Sequence, residues 1–365
     1  MKKVRDGYKI TELGEIPSDW NIMKLSEVAE IVMGQSPDSS SYNDTEDGVA
    51  FFQGKTEFGR INPVVKKWCN NPTKISKPLD ILISVRAPVG DVNINNIEAC
   101  IGRGLGAIRA TSSSNYKYLY YAIQKYNNQL KKASQGSTFE AINSNDLKGL
   151  KLPIPHIDEQ EKIALILSNV DEQIDNVDAL IEKNKELKKG LMQTLLTKGI
   201  GHTKFKKTEI GEIPEEWQNE SLGDMVNFEG GTQPPKKYFS NECLDGMIRL
   251  IQIRDYKSDK FKVYVPKELC RRFCDKSDVM IGRYGPPIFQ ILRGLEGAYN
   301  VALIKATPIN ERLDREYLYY FLNNEKLFNL IDSLSQRTSG QTGIDMEVLK
   351  AYKIPIPPKK EQEKI

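Results

Sequence analysis

Histidine and cysteine, the side chains that most often carry catalysis or bind metals, are scarce in this chain of 365 residues. The only two histidines, His156 and His202, lie beside candidate linkers, so histidine-dependent acid–base, triad and zinc chemistry have few candidates. The five cysteines are odd in number and lack CxxC spacing, which is typical of a reducing compartment. We therefore expect no metal site and a cytoplasmic protein.

Two strings come close to motifs of enzymes that act on nucleotides or DNA. Gly54-Lys55-Thr56 matches the end of a phosphate-binding loop, but Val49 stands where the loop requires its first glycine. An adenine methyltransferase would need an Asn/Asp-Pro-Pro-aromatic segment to hold a flipped base. The nearest strings, at 70–73 and 285–288, lack the amide, the second proline or the aromatic residue. The sequence thus predicts no catalytic residues and no cofactor bound by this chain.

Polar side chains at the ends of predicted strands offer a different chemistry, the reading of DNA bases. Arginine, lysine, glutamine and serine supply the donors and acceptors that recognise base edges. The candidates are Gln53, Lys55, Arg60, Arg86, Arg103, Gln135, Ser137 and Thr138, followed by Gln252, Arg254, Arg283, Tyr284, Gln336, Arg337, Ser339 and Gln341. Each one alone is equally well explained as a solvated loop residue. A second pair of polar loops, at 36–43 and 232–238, has the same character.

An internal repeat organises these loops. TELGEIPSDW, at 11–20, returns as TEIGEIPEEW at 208–217, and PIPHIDEQEKI, at 153–163, returns as PIPPKKEQEKI at 355–365. Framework positions between these motifs also match, at offsets that drift only from 197 to 202, whereas the polar loops diverge. Two copies of one domain that read different sequences would show this pattern.

The sequence indicates an α+β fold with two tandem domains, each a small twisted sheet plus helices. We place the domains at 1–157 and 200–358, with a long coiled-coil helix at 158–199 between them. Strands are predicted over 81–85, 97–101, 107–110, 279–281 and 302–305, and single helices over 116–132 and 314–334.

The segment between the copies has the heptad spacing of a coiled coil over roughly 60 Å. Asp158 can cap its start and Gly199 can end it. Its predicted apolar seam consists of Leu167, Val170, Ile174, Val177, Ile181, Leu191 and Leu195. We expect the seam to be exposed or covered by another chain, so self-association through it is one expectation.

The seam's natural partner would be a second helix after the last motif. The first copy continues past EQEKI for about 35 residues that have no counterpart after Ile365. Residues 359–365 are therefore expected to be the start of a truncated distal helix, with the partner helix missing.

Charge also differs between segments. Residues 1–157 hold 20 basic and 16 acidic side chains, 158–199 hold 6 and 9, and 200–365 hold 26 and 24. The two copies are thus basic and the spacer is acidic, which suits attraction of the copies to DNA phosphates. No stretch approaches 18 apolar residues, so no membrane span is predicted.

Taken together, two copies that open with TE(L/I)GEIPxxW and close with PIPxxxEQEKI resemble the DNA specificity subunit of type I restriction-modification systems. The resemblance covers the whole chain. It implies that each copy is a target recognition domain for one half of a bipartite site, and that the helical spacer fixes the gap and docks the modification subunits.

The resemblance further implies a subunit without its own catalytic site. Its expected partners are double-stranded DNA, two modification subunits that use S-adenosylmethionine, and two restriction subunits that use ATP and Mg²⁺. The assembled complex would then act as a site-specific deoxyribonuclease and adenine-N6 methyltransferase. Two alternatives stay open at this point: a methyltransferase or nuclease with tandem recognition domains, and a helix-spaced protein-binding adaptor.

Overall fold

The computed structural model of the chain describes residues 4–135, 140–335 and 343–365. The chain divides into two compact units, Met1–Ala179 (unit 1) and Leu180–Ile365 (unit 2). The boundary falls inside one long helix, so each unit contains its own part of that helix.

Unit 1 begins with short strands and ends in the long helix. Its elements are β1 (Tyr8–Thr11), β2 (Gly14–Pro17), β3 (Asn21–Lys24), α1 (Leu25–Val28), β4 (Ala29–Met33), β5 (Tyr42–Asn43), β6 (Val49–Phe52), β7 (Trp68–Cys69), β8 (Ile75–Ser76), β9 (Ile81–Ser84), β10 (Val92–Ile94), β11 (Ala99–Ile101), β12 (Leu105–Ala110), α2 (Tyr116–Tyr126), α3 (Asn128–Ser134), α4 (Ser144–Lys148), β13 (Lys151–Ile154) and α5 (Ile157–Lys198).

Unit 2 repeats this order. After its part of α5 come β14 (Phe205–Thr208), β15 (Gly211–Pro214), β16 (Gln218–Ser221), α6 (Leu222–Met225), β17 (Val226–Gly230), β18 (Met247–Ile251), β19 (Tyr264–Pro266), β20 (Phe273–Cys274), β21 (Val279–Gly282), β22 (Gln290–Leu292), β23 (Gly297–Tyr299), β24 (Leu303–Pro308), α7 (Arg315–Leu322), α8 (Glu325–Ser335), α9 (Met346–Ala351), β25 (Lys353–Ile356) and α10 (Lys359–Gln362).

The sheets of the two units correspond except for β5, an edge strand of unit 1 that has no counterpart among the described strands of unit 2. The order β10-β9-β12-β4 in unit 1 matches β22-β21-β24-β17 in unit 2, and β7-β6-β11-β8 matches β19-β18-β23-β20. In the second sheet of each unit, one central pair is parallel, β6 with β11 and β18 with β23. The predicted α+β class, the duplication and the five predicted strand positions are therefore confirmed.

Strand β9 shows why these strands are almost continuously apolar. Ile81 and Ile83 pack towards the helices, against Leu119 of α2, while Leu82 packs in the opposite cluster with Phe52 of β6. A strand that is covered on both faces has no solvent side, so apolar residues do not alternate with polar ones along it.

A buried glutamine closes each unit. Gln160, 1% exposed, accepts a hydrogen bond from the Asn115 N–H (2.9 Å) and donates to the Pro155 carbonyl (3.0 Å). In unit 2, Gln362 likewise accepts from the Asp314 N–H (2.7 Å) and donates to the Pro357 carbonyl (2.8 Å). Each glutamine thus joins the start of its own helix to the N-cap residue of another helix, Asn115 of α2 in unit 1 and Asp314 of α7 in unit 2. A buried carboxamide needs such partners for its own polar atoms.

The neighbouring glutamates bind the first motif of each repeat. The Trp20 indole N–H donates to the Glu159 carboxylate (3.1 Å), and the Trp217 indole N–H donates to Glu361 (3.0 Å). The Glu-Gln dipeptide therefore links the beginning and the end of each copy, which accounts for the recurrence of both motifs.

The helix boundaries depart from the prediction in two ways. The segments predicted as single helices are each two helices, interrupted at Asn127 and at 323–324, because asparagine favours helix caps over helix interiors. Asn324, for example, accepts from the Lys326 N–H (2.8 Å) and starts α8. Asp158 is not the N-cap of α5: the helix begins at Ile157, and the amides of Glu159 and Gln160 donate to the His156 carbonyl.

Helix α5 runs unbroken for 42 residues and is followed, as predicted, by Gly199 in a left-handed conformation (φ +64°). Its seam is open to solvent over most of its length. The exposed seam residues are Leu167, Val170, Ile174, Val177, Ile181 and Leu191, while Leu195 is half-buried. The seam is thus not covered by the described residues of its own chain, and whether another chain covers it, including a second copy, stays a prediction.

The glutamine bridge makes a testable contribution to stability. Gln160→Met keeps the side-chain volume but leaves the Asn115 N–H and the Pro155 carbonyl without that partner. We expect this change to lower the free energy of unfolding of unit 1 by about 2 kcal/mol, measured by urea denaturation. Gln173→Met, at an exposed position on the same helix, should change it by less than about 0.5 kcal/mol. Equal effects would contradict a structural role for Gln160.

Candidate nucleic-acid interface

Sheet topology brings several predicted residues of unit 1 to one edge. Parallel strands β6 and β11 end at the same edge and are followed by Gln53 and Arg103. Strand β12 begins beside the end of β9, with Leu105 paired to Ser84, so Arg86 emerges next to the turn that carries Arg103. Three strand ends that are distant in sequence thus form one surface.

This surface is a cleft of about 1050 Å³ that contains four of the predicted residues, Gln53, Lys55, Arg86 and Arg103. Lys55 is ion-paired with Asp91. The Arg103 N–H and Nε lie 3.3 and 3.5 Å from the Ser36 hydroxyl. Arg86 is exposed, and its guanidinium has no hydrogen-bond or ion-pair partner within the described ranges. It is therefore free to donate to a ligand.

The loop at 36–42 completes the cleft and contributes an acceptor that the candidate list omitted. The Ser40 hydroxyl and N–H both donate to the Asp38 carboxylate, at 2.7 and 2.9 Å, and they hold its pKa below the usual range. Asp38 is therefore ionised at neutral pH, and a carboxylate can accept from an exocyclic base amine. In the sequence, the only indication of this contribution is that the loop is polar and differs between the two copies.

Two other predicted residues of unit 1 are not in this cleft. Arg60 contacts the acidic face of α5: it is ion-paired with Asp175, lies 3.6 Å from Asp178 and 4.0 Å from Asp171. Tyr121 donates to the same Asp171 carboxylate (2.6 Å). Gln135 follows the end of α3, is exposed and does not line the cleft. Arg60 thus fixes α5 to unit 1, a role that charge and loop position alone did not indicate.

In unit 2, Gln252 and Arg254 lie at the end of β18. The buried Asp255 carboxylate accepts from the Gln252 N–H (2.9 Å), and burial raises the pKa of Asp255. The Arg254 guanidinium lies 5.3 Å from the centre of the Phe261 ring, a cation–π contact. The short helix Ile253–Tyr256 presents Arg254 to solvent, as Lys55–Glu57 presents Lys55 in unit 1.

Arg283 and Tyr284 follow β21. The Arg283 guanidinium lies 5.4 Å from the centre of the Tyr284 ring, and its Nε is buried without a hydrogen-bond partner among the described residues. Tyr284 itself is 39% exposed. The aromatic side chain, not the arginine, is therefore the more accessible of the two.

Six of the predicted contact residues lie outside the described residues: Ser137, Thr138, Gln336, Arg337, Ser339 and Gln341. Within the described residues, no group of three or more histidine, cysteine, aspartate or glutamate side chains is arranged to hold a metal ion. The same part of the chain contains no helix long and apolar enough to cross a membrane.

One family model, the type I restriction modification DNA specificity domain, matches the chain twice, at residues 17–188 and 214–365, so that each match covers most of one unit. The chain belongs to this family. The family assignment made from the sequence motifs is therefore confirmed, together with the presence of two copies.

Similar proteins agree with this assignment. The putative type I restriction enzyme MjaX specificity subunit of Methanocaldococcus jannaschii is 42% identical over 194 residues, which cover 52% of this chain and 45% of that protein. The MjaVIII specificity subunit of the same organism is 24% identical over 367 residues, covering 95% and 84%. The match thus spans less than half of the first relative's length, and more than four fifths of the second's.

A crystal structure of a type I restriction-modification system S subunit from M. genitalium has the same fold. It superposes with a TM-score of 0.58 over 99% of this chain and 88% of that chain, at 16% identity. The two-domain α+β architecture with a long helix is thus the architecture of the family.

The different surroundings of two arginines predict different mutant behaviour. Arg86→Gln should weaken binding to the recognised DNA by about 1–3 kcal/mol and relax specificity at one base pair. Arg60→Gln, which only removes contacts to α5, should leave the preferred sequence unchanged. Fluorescence anisotropy with duplexes that vary one base pair at a time measures both. A uniform loss across all sequences would make Arg86 a phosphate contact, and a changed preference for Arg60→Gln would contradict its assignment to α5.

Proposed function

We propose that the chain is the DNA specificity subunit of a type I restriction-modification complex, in which each unit reads one half of a bipartite site in double-stranded DNA. The main support is the cleft of unit 1, where the exposed Arg86, a second arginine and the Asp38 carboxylate converge at one sheet edge. Donors and acceptors on a rigid frame are what base recognition requires. The corresponding strands of unit 2 support the proposal that this unit has a second surface for base recognition.

Helix α5 is proposed to be the spacer that fixes the gap between the two half-sites and docks the modification subunits. Its exposed apolar seam supports this role, because exposed apolar stripes of this length are typical of surfaces that bind another protein. We propose two modification and two restriction subunits as partners. The complex, and not this chain, would supply methylation and cleavage, with S-adenosylmethionine, ATP and Mg²⁺ bound by those subunits in the cytoplasm.

A domain exchange tests the bipartite reading. Residues 1–157 are replaced by the corresponding segment of a relative with a different recognition sequence, and the preferred DNA is selected from a random pool by the chain with its modification subunits. We expect one half of the selected site to change and the other half and the gap to stay. A change in both halves, or in neither, would refute the proposal.

The proposal also predicts how the chain binds and what it does alone. Because its contacts include lysine and arginine with phosphates, the affinity for DNA should fall linearly with salt concentration on a log–log scale. The purified chain with S-adenosylmethionine or Mg²⁺ should neither methylate nor cleave DNA. Affinity that is independent of salt would favour a protein-binding adaptor, and turnover by the chain alone would favour an enzyme.

A further inference from the structure

Arg86 and Arg103 form one corner of the cleft, and this corner has a counterpart in unit 2 with the same main-chain hydrogen bonds at the strand ends. In unit 1 the Val85 N–H donates to the Gly104 carbonyl (3.0 Å), and in unit 2 the Arg283 N–H donates to the Ala302 carbonyl (2.8 Å). Both the donor and the acceptor are displaced by 198 residues between the units. Arg86, the next residue after Val85, therefore corresponds to Tyr284.

The adjacent turn has the same correspondence. The Gly102 N–H donates to the carbonyl that ends β6 (2.8 Å), and the Asn300 N–H donates to the carbonyl that ends β18 (3.1 Å). The following residue is Arg103 in unit 1 and Val301 in unit 2. The sequence alone did not single out Val301, because an isolated valine carries no polar signal.

At both outward positions of this corner, the arginine of unit 1 is thus replaced by a side chain with apolar surface. Arg86 and Arg103 are exposed in unit 1, and in unit 2 Tyr284 is 39% exposed and Val301 45% exposed. Single exposed apolar residues are common on protein surfaces. Here, however, two neighbouring positions change together while the main-chain hydrogen bonds that precede each of them are kept.

Two positions near the corner keep the same kind of side chain in both units, and they indicate which residues suit phosphate contact and which suit base contact. Gln53 and Gln252 each directly follow the strand, β6 or β18, whose last carbonyl accepts the hydrogen bond described above. Two residues later each unit has a cation, Lys55 or Arg254. Contacts to phosphates position a protein on DNA whatever the sequence, whereas contacts to base edges differ between sites. The shared residues suit phosphate contact, and the corner suits base contact.

We propose that this corner reads a guanine in the half-site of unit 1 and the methyl group of a thymine in the half-site of unit 2. A guanidinium donates two hydrogen bonds to O6 and N7 of guanine, and apolar side chains contact the thymine C5 methyl in the same groove. The inference rests on the proposed function, in which each unit reads one half-site.

Base analogues test this assignment in the selected duplex, with half-sites assigned to units by the domain exchange. The probes are duplexes in which one guanine is replaced by 7-deazaguanine, which lacks the N7 acceptor, or one thymine by uracil, which lacks the methyl group. We expect one 7-deazaguanine in the unit 1 half-site to lower the affinity about five-fold. One uracil in the unit 2 half-site should lower it about three-fold.

Matched variants connect these effects to the corner. Arg86→Gln combined with Arg103→Gln should abolish the 7-deazaguanine effect, and Tyr284→Ser combined with Val301→Ser should abolish the uracil effect. Arg60→Gln is the control and should abolish neither. Circular dichroism melting establishes that each variant is folded before it is compared.

The outcomes separate this inference from the proposed function. A bipartite site whose unit 1 half contains no guanine, or whose unit 2 half contains no thymine, overturns the inference and leaves the proposed function intact. The same holds if the analogues have no effect, or if their effects persist in the corner variants. A chain that selects no sequence, alone or with its modification subunits, overturns the proposed function itself.

Discussion

The fold of each unit depends on a buried carboxamide that bridges two helices. A glutamine side chain has an acceptor and two donor hydrogens, and in the buried side chains of Gln160 and Gln362 both kinds of group are bonded to main-chain atoms. The adjacent glutamates hold a tryptophan from the start of the same copy. The last helix of a copy therefore cannot leave without exposing unpaired polar groups, so its direction is fixed relative to the sheets.

That fixed frame lets the loops differ without a change of architecture. Strand order, register and the hydrogen bonds at the strand ends recur in both units, while the side chains beyond those ends do not. The core keeps the backbone of a corner in place whichever residue stands there. A recognition surface can then change from donors such as Arg86 to an aromatic ring such as Tyr284 at little cost in stability, because neither side chain contributes to the core.

Helix α5 combines two kinds of surface. One face is held by its own unit, as where Asp171 and Asp175 meet Arg60, and the adjacent face leaves apolar residues such as Val170 and Ile174 in solvent. An exposed ion pair contributes little to stability, but three carboxylates around one guanidinium define the rotation of the helix about its axis. Each of these aspartates directly follows a seam residue and lies about 100° around the helix from it, so the orientation of the apolar stripe follows from polar contacts on the adjacent face.

The sequence by itself determined the duplication, the α+β class, the long helix and the family, because motifs and periodicity are properties of the chain read in one dimension. It also located several strand ends whose polar residues form the cleft. It did not distinguish Arg86 from Arg60, which are both arginines in polar loops, nor reveal that Val301 stands in the place of Arg103. Only the tertiary structure decided these points, since the partner of a side chain is set by elements that are adjacent in space and distant in sequence. An arginine beside the acidic face of a helix is ion-paired with that face, whereas an arginine at an open sheet edge remains available for a ligand.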